Sequence, residues 1–157
     1  MEFIKLDTLS LFLFDKNNSE DIIFIKELCK DESIKKWFQG ITVGLLKNKN
    51  QEFFNHGFIV KEANNYIGYL GIGSYNELDL SVYLRAAIIK EKRGFSYGKI
   101  LLTEITEYIF KTYDQIESIR LKISKENNAS LMTANACGYV WLSDDTYIKY
   151  NPYLKQR

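Results

Sequence analysis

The spacing of apolar residues changes period several times along the chain, and each change marks a boundary. Residues 2–7 and 10–14 are short apolar runs rich in Phe, Leu and Ile, parted at Asp7-Thr8, a pattern that suits one strand or a bent pair. Asn17-Asn18-Ser19 then offers helix N-caps, Glu20 and Asp21 suit the positive end of a helix dipole, and Ile22, Ile23, Ile25, Leu28 and Cys29 form a helical apolar face to about residue 30. Asp31 can cap a second short helix carrying Ile34, Trp37 and Phe38, which Gly40 would stop. Residues 41–55, with Leu45, Leu46, Phe53 and Phe54, suggest another helical turn.

From His56 the period becomes two. Gly57-Phe58-Ile59-Val60 and Tyr66 to Ile72 read as the strands of a hairpin turning at Asn64-Asn65. Leu78 to Ile89 predicts a long central strand with Leu78, Leu80, Val82, Leu84, Ala86 and Ile88 on one face. Ala86 and Ala87 are small, as close packing or a ligand lying against the backbone would require. Ile100, Leu101, Ile105, Tyr108, Ile109 and Thr112 return at helical spacing and predict a helix over 98–112 that packs one face on a sheet. Residues 116–123 alternate as a strand, a capped helix follows Ser124 to Ser130 and ends at Gly138, and Tyr139 to Tyr150 closes as a hairpin around Asp144-Asp145. This order of elements specifies a mixed α/β (α+β) domain.

Length and composition narrow the class. The 157 residues suit a single domain, 1–157, with a sizeable core. Lys plus Arg number 21 against 20 Asp plus Glu, so the net charge of +1 gives no global attraction to nucleic acid or to an anionic membrane, and any basic patch is local. Cys29 and Cys137 have neither metal-ligand spacing nor the density of a disulfide scaffold, which favours a reducing cytoplasm and no metal. The apolar run Leu11 to Phe14 is too short for a signal core, and no stretch approaches the ~20 apolar residues that span a bilayer, so a soluble protein is expected.

One stretch carries chemistry. At Ile88-Ile89-Lys90-Glu91-Lys92-Arg93-Gly94-Phe95-Ser96-Tyr97-Gly98-Lys99 a β-rich run passes through a basic, glycine-punctuated turn into a helix. A turn that opens a helix leaves backbone N–H groups unpaired and gathers partial positive charge. Gly94 and Gly98 let an anion approach the main chain, and Arg93 and Lys99 add full charges, so a diphosphate is the natural guest. The Walker pattern fails here, with three residues between the glycines and Ile100 after the Lys, and the dinucleotide Gly-x-Gly-x-x-Gly pattern fails in register.

Arg93-x-x-Ser96-x-Gly98 resembles the acetyl-CoA pyrophosphate loop of the GNAT superfamily of N-acyltransferases, Gln/Arg-x-x-Gly-x-Gly/Ala, with Ser96 replacing the middle glycine. Further on, Asn127-x-x-Ser130 leading to Gly138-Tyr139 resembles the superfamily's Asn-x-x-Ala/Ser … Gly-Phe/Tyr segment. Asp31 to Lys35 and Ser130 look more like the RimJ/RimL branch, which acetylates protein N-termini. The resemblance implies a central, twisted, mostly antiparallel sheet flanked by about four helices and splayed at the cofactor cleft. Acetyl-CoA would be the cosubstrate, with its diphosphate on Arg93, Gly94, Phe95, Ser96, Tyr97, Gly98 and Lys99. Its pantetheine would pair with main chain around Ile88, and Asn127 would bind the arm. The partners implied are acetyl-CoA and an amine acceptor, bound to a monomer or homodimer.

The acceptor amine must be neutral to attack: a lysine-like amine, pKa about 10.4, is deprotonated to roughly one part in a thousand at pH 7, a deficit of about 4–5 kcal/mol, whereas an α-amine near 8 needs much less help. The superfamily's usual glutamate falls on Val82, leaving Glu77, Asp79 and His56 as candidate bases. Its usual tyrosine acid falls on Ala134, leaving Ser130 as the donor matched in RimL-like proteins and Tyr139 and Tyr147 as substitutes. Trp37, Phe38, Phe53, Phe54 and Trp141 would supply the acceptor wall or simply the core. A non-catalytic acyl-CoA-binding sensor of the same fold is the competing reading.

Overall fold

The protein is described here from a computed structural model covering residues 3–32, 34, 56–93 and 96–154. The expected helix at Trp37 and Phe38, the turn containing Phe53 and Phe54, and Gly94 and Phe95 of the basic loop lie outside these residues, as does the His56 side chain. The strands are β1 (Phe3–Lys5), β2 (Ser10–Leu13), β3 (His56–Glu62), β4 (Asn65–Asn76), β5 (Ser81–Ile88), β6 (Ser118–Lys122), β7 (Val140–Ser143) and β8 (Thr146–Tyr150). The helices are α1 (Ser19–Leu28), α2 (Tyr97–Thr112) and α3 (Asn128–Ala136), with a 3-10 turn at Lys90–Lys92. Three α-helices lie wholly among the described residues, and Glu32 and Ile34 are helical as well, just after Asp31 where a further short helix was expected.

All eight strands join one sheet in the order β1-β2-β3-β4-β5-β6-β8-β7. Every neighbouring pair is antiparallel except β5 and β6, which run parallel. A parallel pair needs a crossover, and α2 supplies it. Its buried residues Leu101, Ile105, Ile109 and Phe110 pack on one face of the sheet with Val82, Leu84, Ile119 and Leu121. On the opposite face α1 sets Ile25 and Leu28 against Ile59, Tyr69 and Ala87. Each large apolar side chain so buried stabilises by about 1.5–3 kcal/mol, and the strand alternation sends even positions of β5 to the α2 face and odd ones to the α1 face.

The local chemistry of the helix ends matches the sequence. The Asn18 side chain accepts the N–H groups of Glu20 and Asp21, capping α1. Asp21, beyond suiting the dipole, is buried: its carboxylate accepts the Tyr66 hydroxyl at 2.7 Å and the Asp15 N–H at 3.0 Å, clasping α1 to β4. That hydroxyl is held well above the ordinary phenol pKa by burial and by its bond to Asp21. Gly138 ends α3 at φ 87, the left-handed geometry glycine permits.

Two expectations shift. The β3–β4 hairpin turns at Ala63-Asn64 rather than Asn64-Asn65, since Glu62 pairs with Asn65 and Ala63 takes φ 53. The central strand starts at Ser81, not Leu78. The Asn76 side chain accepts the Leu78 N–H at 2.8 Å, turning the chain there, and Leu80 adopts φ 52. Leu78 is consequently 96% exposed. Apolar alternation alone carried no sign of that side-chain-stabilised turn.

Candidate active site

Strands β5 and β6 are hydrogen-bonded neighbours only over Ser81–Tyr83 and Ser118–Arg120. Beyond Tyr83, β5 continues beside β4 to Ile88, while β6 continues beside β8 to Lys122, so the sheet opens between them. The direction of the backbone at the opening follows from the ladder. Ile89 donates its N–H to the Ile67 carbonyl at 2.9 Å, which makes Gly68 and Ile88 a pair that exchanges no hydrogen bonds. The amide groups of Ile88 therefore turn away from β4, and by the two-residue period so do those of Ala86 and Leu84. The Leu80 carbonyl on the same side accepts the Glu117 N–H at 2.8 Å, as this phase requires. An extended strand edge thus lines the opening, and the exposed Ala86 leaves room beside it.

Because β5 and β6 are parallel, the segments leaving their carboxyl ends, 89–99 and 123–130, emerge at the same end of the sheet. The first leads into α2. Ile100 donates to the Ser96 carbonyl at 2.9 Å, the first bond of the helix, so the N–H groups of Tyr97, Gly98 and Lys99 have no intrahelical acceptor. Ser96 does not cap them with its side chain. It sits at φ 63, ψ 14, the left-handed region in which a glycine is at ease and a serine is strained. A Cβ on Gly98 would meet nothing within 4 Å, and its φ is not positive, so neither packing nor backbone conformation within the protein asks for glycine there. The Lys99 side chain is exposed. Tyr97 donates its hydroxyl to Glu62 at 2.6 Å.

Arg93 is engaged by protein groups. Its Nε donates to the Ile88 carbonyl at 3.0 Å and its terminal nitrogen meets the Asp31 carboxylate at 2.8 Å, fastening the loop to the end of β5 and to the chain beyond α1. At the second segment Asn127 is the N-cap of α3, its side-chain oxygen accepting the Ser130 N–H at 3.2 Å. Ser130 is half-buried in the first turn of that helix. The structure therefore brings Ile88, Arg93, Ser96 to Lys99, Asn127 and Ser130 to one end of the opening.

Other candidates are removed or reassigned. Asp79 accepts the Ser81 hydroxyl at 2.6 Å and pairs with Arg120 at 2.9 Å, so its carboxylate is occupied in holding the turn before β5. Tyr139 is buried and shares a hydrogen bond of 2.7 Å with Thr106; burial pushes its phenol well above the ordinary value. Ala134 is fully buried in the core between α3 and α2, and Val82 is fully buried under α2, so neither position faces the opening. Trp141 stands 61% exposed on the edge strand β7, with its indole N–H on the Asp144 carbonyl. Among the described residues no group of three or more His, Cys, Asp or Glu side chains is placed to hold a metal ion, and no helix is long and apolar enough to cross a membrane.

Sequence reasoning missed Tyr69. Its side chain is only 7% exposed, its hydroxyl lies 2.6 Å from where a Cβ of Gly71 would stand, and burial pushes its pKa up to about 12, against the opposing influence of Arg85 and with a smaller upward effect from Cys29. The signal was the alternation Tyr-x-Gly-x-Gly at Tyr69, Gly71 and Gly73, which clears space on one face of β4.

Residues 6–140 match the family described as Acetyltransferase (GNAT) domain, and the chain belongs to that family. It is an acetyltransferase. No curated protein is similar enough in sequence to be matched. Among solved structures, spermidine N-acetyltransferase from Vibrio cholerae in complex with CoA and spermine superposes with TM-score 0.74 at 20% identity, over 92% of this chain and 96% of that one. A GNAT-family acetyltransferase from Bacillus anthracis gives 0.73 at 15% identity, over 95% and 96%. The ribosomal L7/L12 α-N-protein acetyltransferase RimL in complex with coenzyme A gives 0.70 at 15% identity, over 95% and 98%. At these identities the likeness establishes the fold.

Proposed function

We propose that this enzyme transfers the acetyl group of acetyl-CoA to a primary amine by direct attack in a ternary complex. The observation that carries this reading is the opening between β5 and β6, lined past Tyr83 by the Leu84 carbonyl, both amide groups of Ala86 and the Ile88 N–H, all turned away from β4, and met at its mouth by three N–H groups of α2 that lack intrahelical acceptors. The fit to the cosubstrate is chemical: extended amide edge for the amide-bearing pantetheine, helix N-terminus for the diphosphate. Gly94 and Phe95 complete the loop in sequence. Asn127, with its oxygen committed to the α3 cap, has its amide nitrogen left to donate to the arm. The solved relatives that hold CoA support the cosubstrate.

The N–H groups of β5 in the opening would polarise the thioester carbonyl and stabilise the oxyanion as the amine attacks. Ser130, at the same end, is assigned the proton donor to the departing thiolate. Among the described residues, Val82 is buried where the family's glutamate stands and Asp79 is tied to Arg120, which leaves the exposed Glu77 as the described candidate base and favours an acceptor whose amine is neutral at modest pH. An α-amine, as in the RimL branch, meets that demand.

Calorimetric titration with acetyl-CoA and desulfo-CoA, followed by thiol release with a pooled amine library, tests the reading. Binding with amine-dependent release is expected. Binding without turnover over the whole pool would return the chain to an acyl-CoA sensor, and no binding to either form would remove the cofactor loop assignment. Ser130→Ala should lower kcat while leaving acetyl-CoA affinity unchanged.

A further inference from the structure

We propose that the acceptor carries a carboxylate close to its reactive amine, and that Arg85 and Lys122, one on each lip of the sheet opening, receive it together with the Tyr69 hydroxyl. This rests on the acetyltransferase reading and specifies its substrate class. The segments assigned to the cofactor lead into α2 and α3, whose side chains join the core on the α2 face. An arm threaded through the opening from that side presents its acetyl group toward the α1 face, and the acceptor must approach there.

The last paired residues of the parallel strands are Tyr83 and Arg120. Two positions on, and hence on the same face, the lips carry Arg85 on β5 and Lys122 on β6. Both are exposed, and among the described residues neither has a carboxylate partner. The Lys122 ammonium lies 5.8 Å from the centre of the Tyr83 ring, which confirms that it leans over this face. Arg120, two positions before Lys122 on β6, is already neutralised by Asp79 at 2.9 Å. Across the ladder Arg85 faces Gly71, which has no side chain, and above that glycine stands the Tyr69 hydroxyl. Among the described residues no hydrogen bond to this hydroxyl is seen, and while the Tyr69 side chain is buried, its oxygen is not one of the polar atoms sealed from solvent without a partner.

Two cations and a phenol that keeps its proton make a site for an oxyanion: Arg85 offers a planar pair of donors, Tyr69 one more, and Lys122 a point charge. The same lips would repel a polycation. A free amino acid and a peptide with an acidic side chain near its N-terminus present the same chemistry.

The full chain is assayed for thiol release with matched acceptors: free amino acids against their amides, and peptides with Glu against Gln at the second position. The carboxylate-bearing member should be preferred by about tenfold or more in kcat/KM, the scale of one charge-assisted hydrogen bond, carried in KM. The pair that shows the preference identifies the source of the carboxylate. Arg85→Gln and Lys122→Gln should raise that KM toward the uncharged member's while acetyl-CoA affinity and melting temperature stay at wild-type values. Equal use of both members, a preference for di- or polyamines, or an equal effect of Arg85→Gln on both members overturns the proposal. Calorimetry with acetyl-CoA separates the two levels. Absence of cofactor binding removes the acetyltransferase reading itself, whereas cofactor binding with no carboxylate acceptor bound or turned over removes only the anionic subsite.

Discussion

Gly98 offers a test in which stability and binding move in opposite directions. It lies in the first turn of α2, its φ is unexceptional, and a Cβ there touches nothing within 4 Å. Glycine in a helix costs about 0.5–1 kcal/mol relative to alanine. Gly98→Ala should therefore stabilise the unliganded enzyme by up to that amount, or about 1–4 °C in melting temperature for a domain of this size. If a diphosphate rests on the N–H groups of Tyr97, Gly98 and Lys99, a side chain stands between them and the ligand. Loss of one charge-assisted hydrogen bond costs about 1.5–3 kcal/mol, roughly 10- to 150-fold in Kd. At a CoA concentration about 100 times the wild-type Kd, ligand stabilises by about 2.7 kcal/mol, and a Kd about 100-fold weaker reduces this to about 0.4 kcal/mol. Differential scanning fluorimetry with and without CoA reads both quantities in one plate, and Gly98→Leu extends the steric series. A leucine variant that keeps the wild-type CoA shift would refute the loop assignment. An alanine variant that melts lower without ligand would refute the account of why glycine is there.

Ser96→Gly should relieve a left-handed serine at φ 63 and raise stability by about 1 kcal/mol in chemical denaturation, with CoA binding retained. Asn127→Ala removes the cap of α3 and should cost about 1 kcal/mol of stability and weaken CoA binding as well; a loss of stability with unchanged CoA affinity would confine the residue to capping. Tyr66→Phe leaves the buried Asp21 carboxylate short of a donor and should cost about 1–3 kcal/mol, and an unchanged denaturation midpoint would contradict the clasp between α1 and β4. With an α-amine acceptor, kcat/KM should rise with pH and level off near 8, following the neutral amine; a rise continuing toward 10 would point instead to a lysine-like amine.

Local rules carried most of the element boundaries. The caps at Asn18 and Asn127, the glycine at 138 and the alternation over 116–123 act within a few residues, so they are legible in sequence, and α1, α2, α3 and the closing hairpin stand within one or two residues of their expected places. The start of β5 was misjudged because Leu78 and Leu80 keep the apolar alternation while the Asn76 side chain turns the backbone at Leu78. Hydrophobic period reports which face would be buried, not whether the backbone gets there.

What the sequence by itself determined is the kind of chemistry: a basic loop opening a helix at Arg93 to Lys99, a capped segment at Asn127 to Ser130, and their order around one strand and one helix. Only the tertiary structure decided that these lie side by side. The parallel pairing of β5 and β6 puts both loops at the same end of the sheet, and the end of that pairing at Tyr83 and Arg120 opens the cleft. It also settled which titratable groups are committed elsewhere, Asp79 to Arg120 and Tyr139 to Thr106, and it set Arg85 and Lys122 on facing lips although 37 positions separate them in the chain. Strand pairing is a long-range choice made by backbone hydrogen bonds between segments remote in sequence, and no local pattern of side chains encodes where a ladder stops.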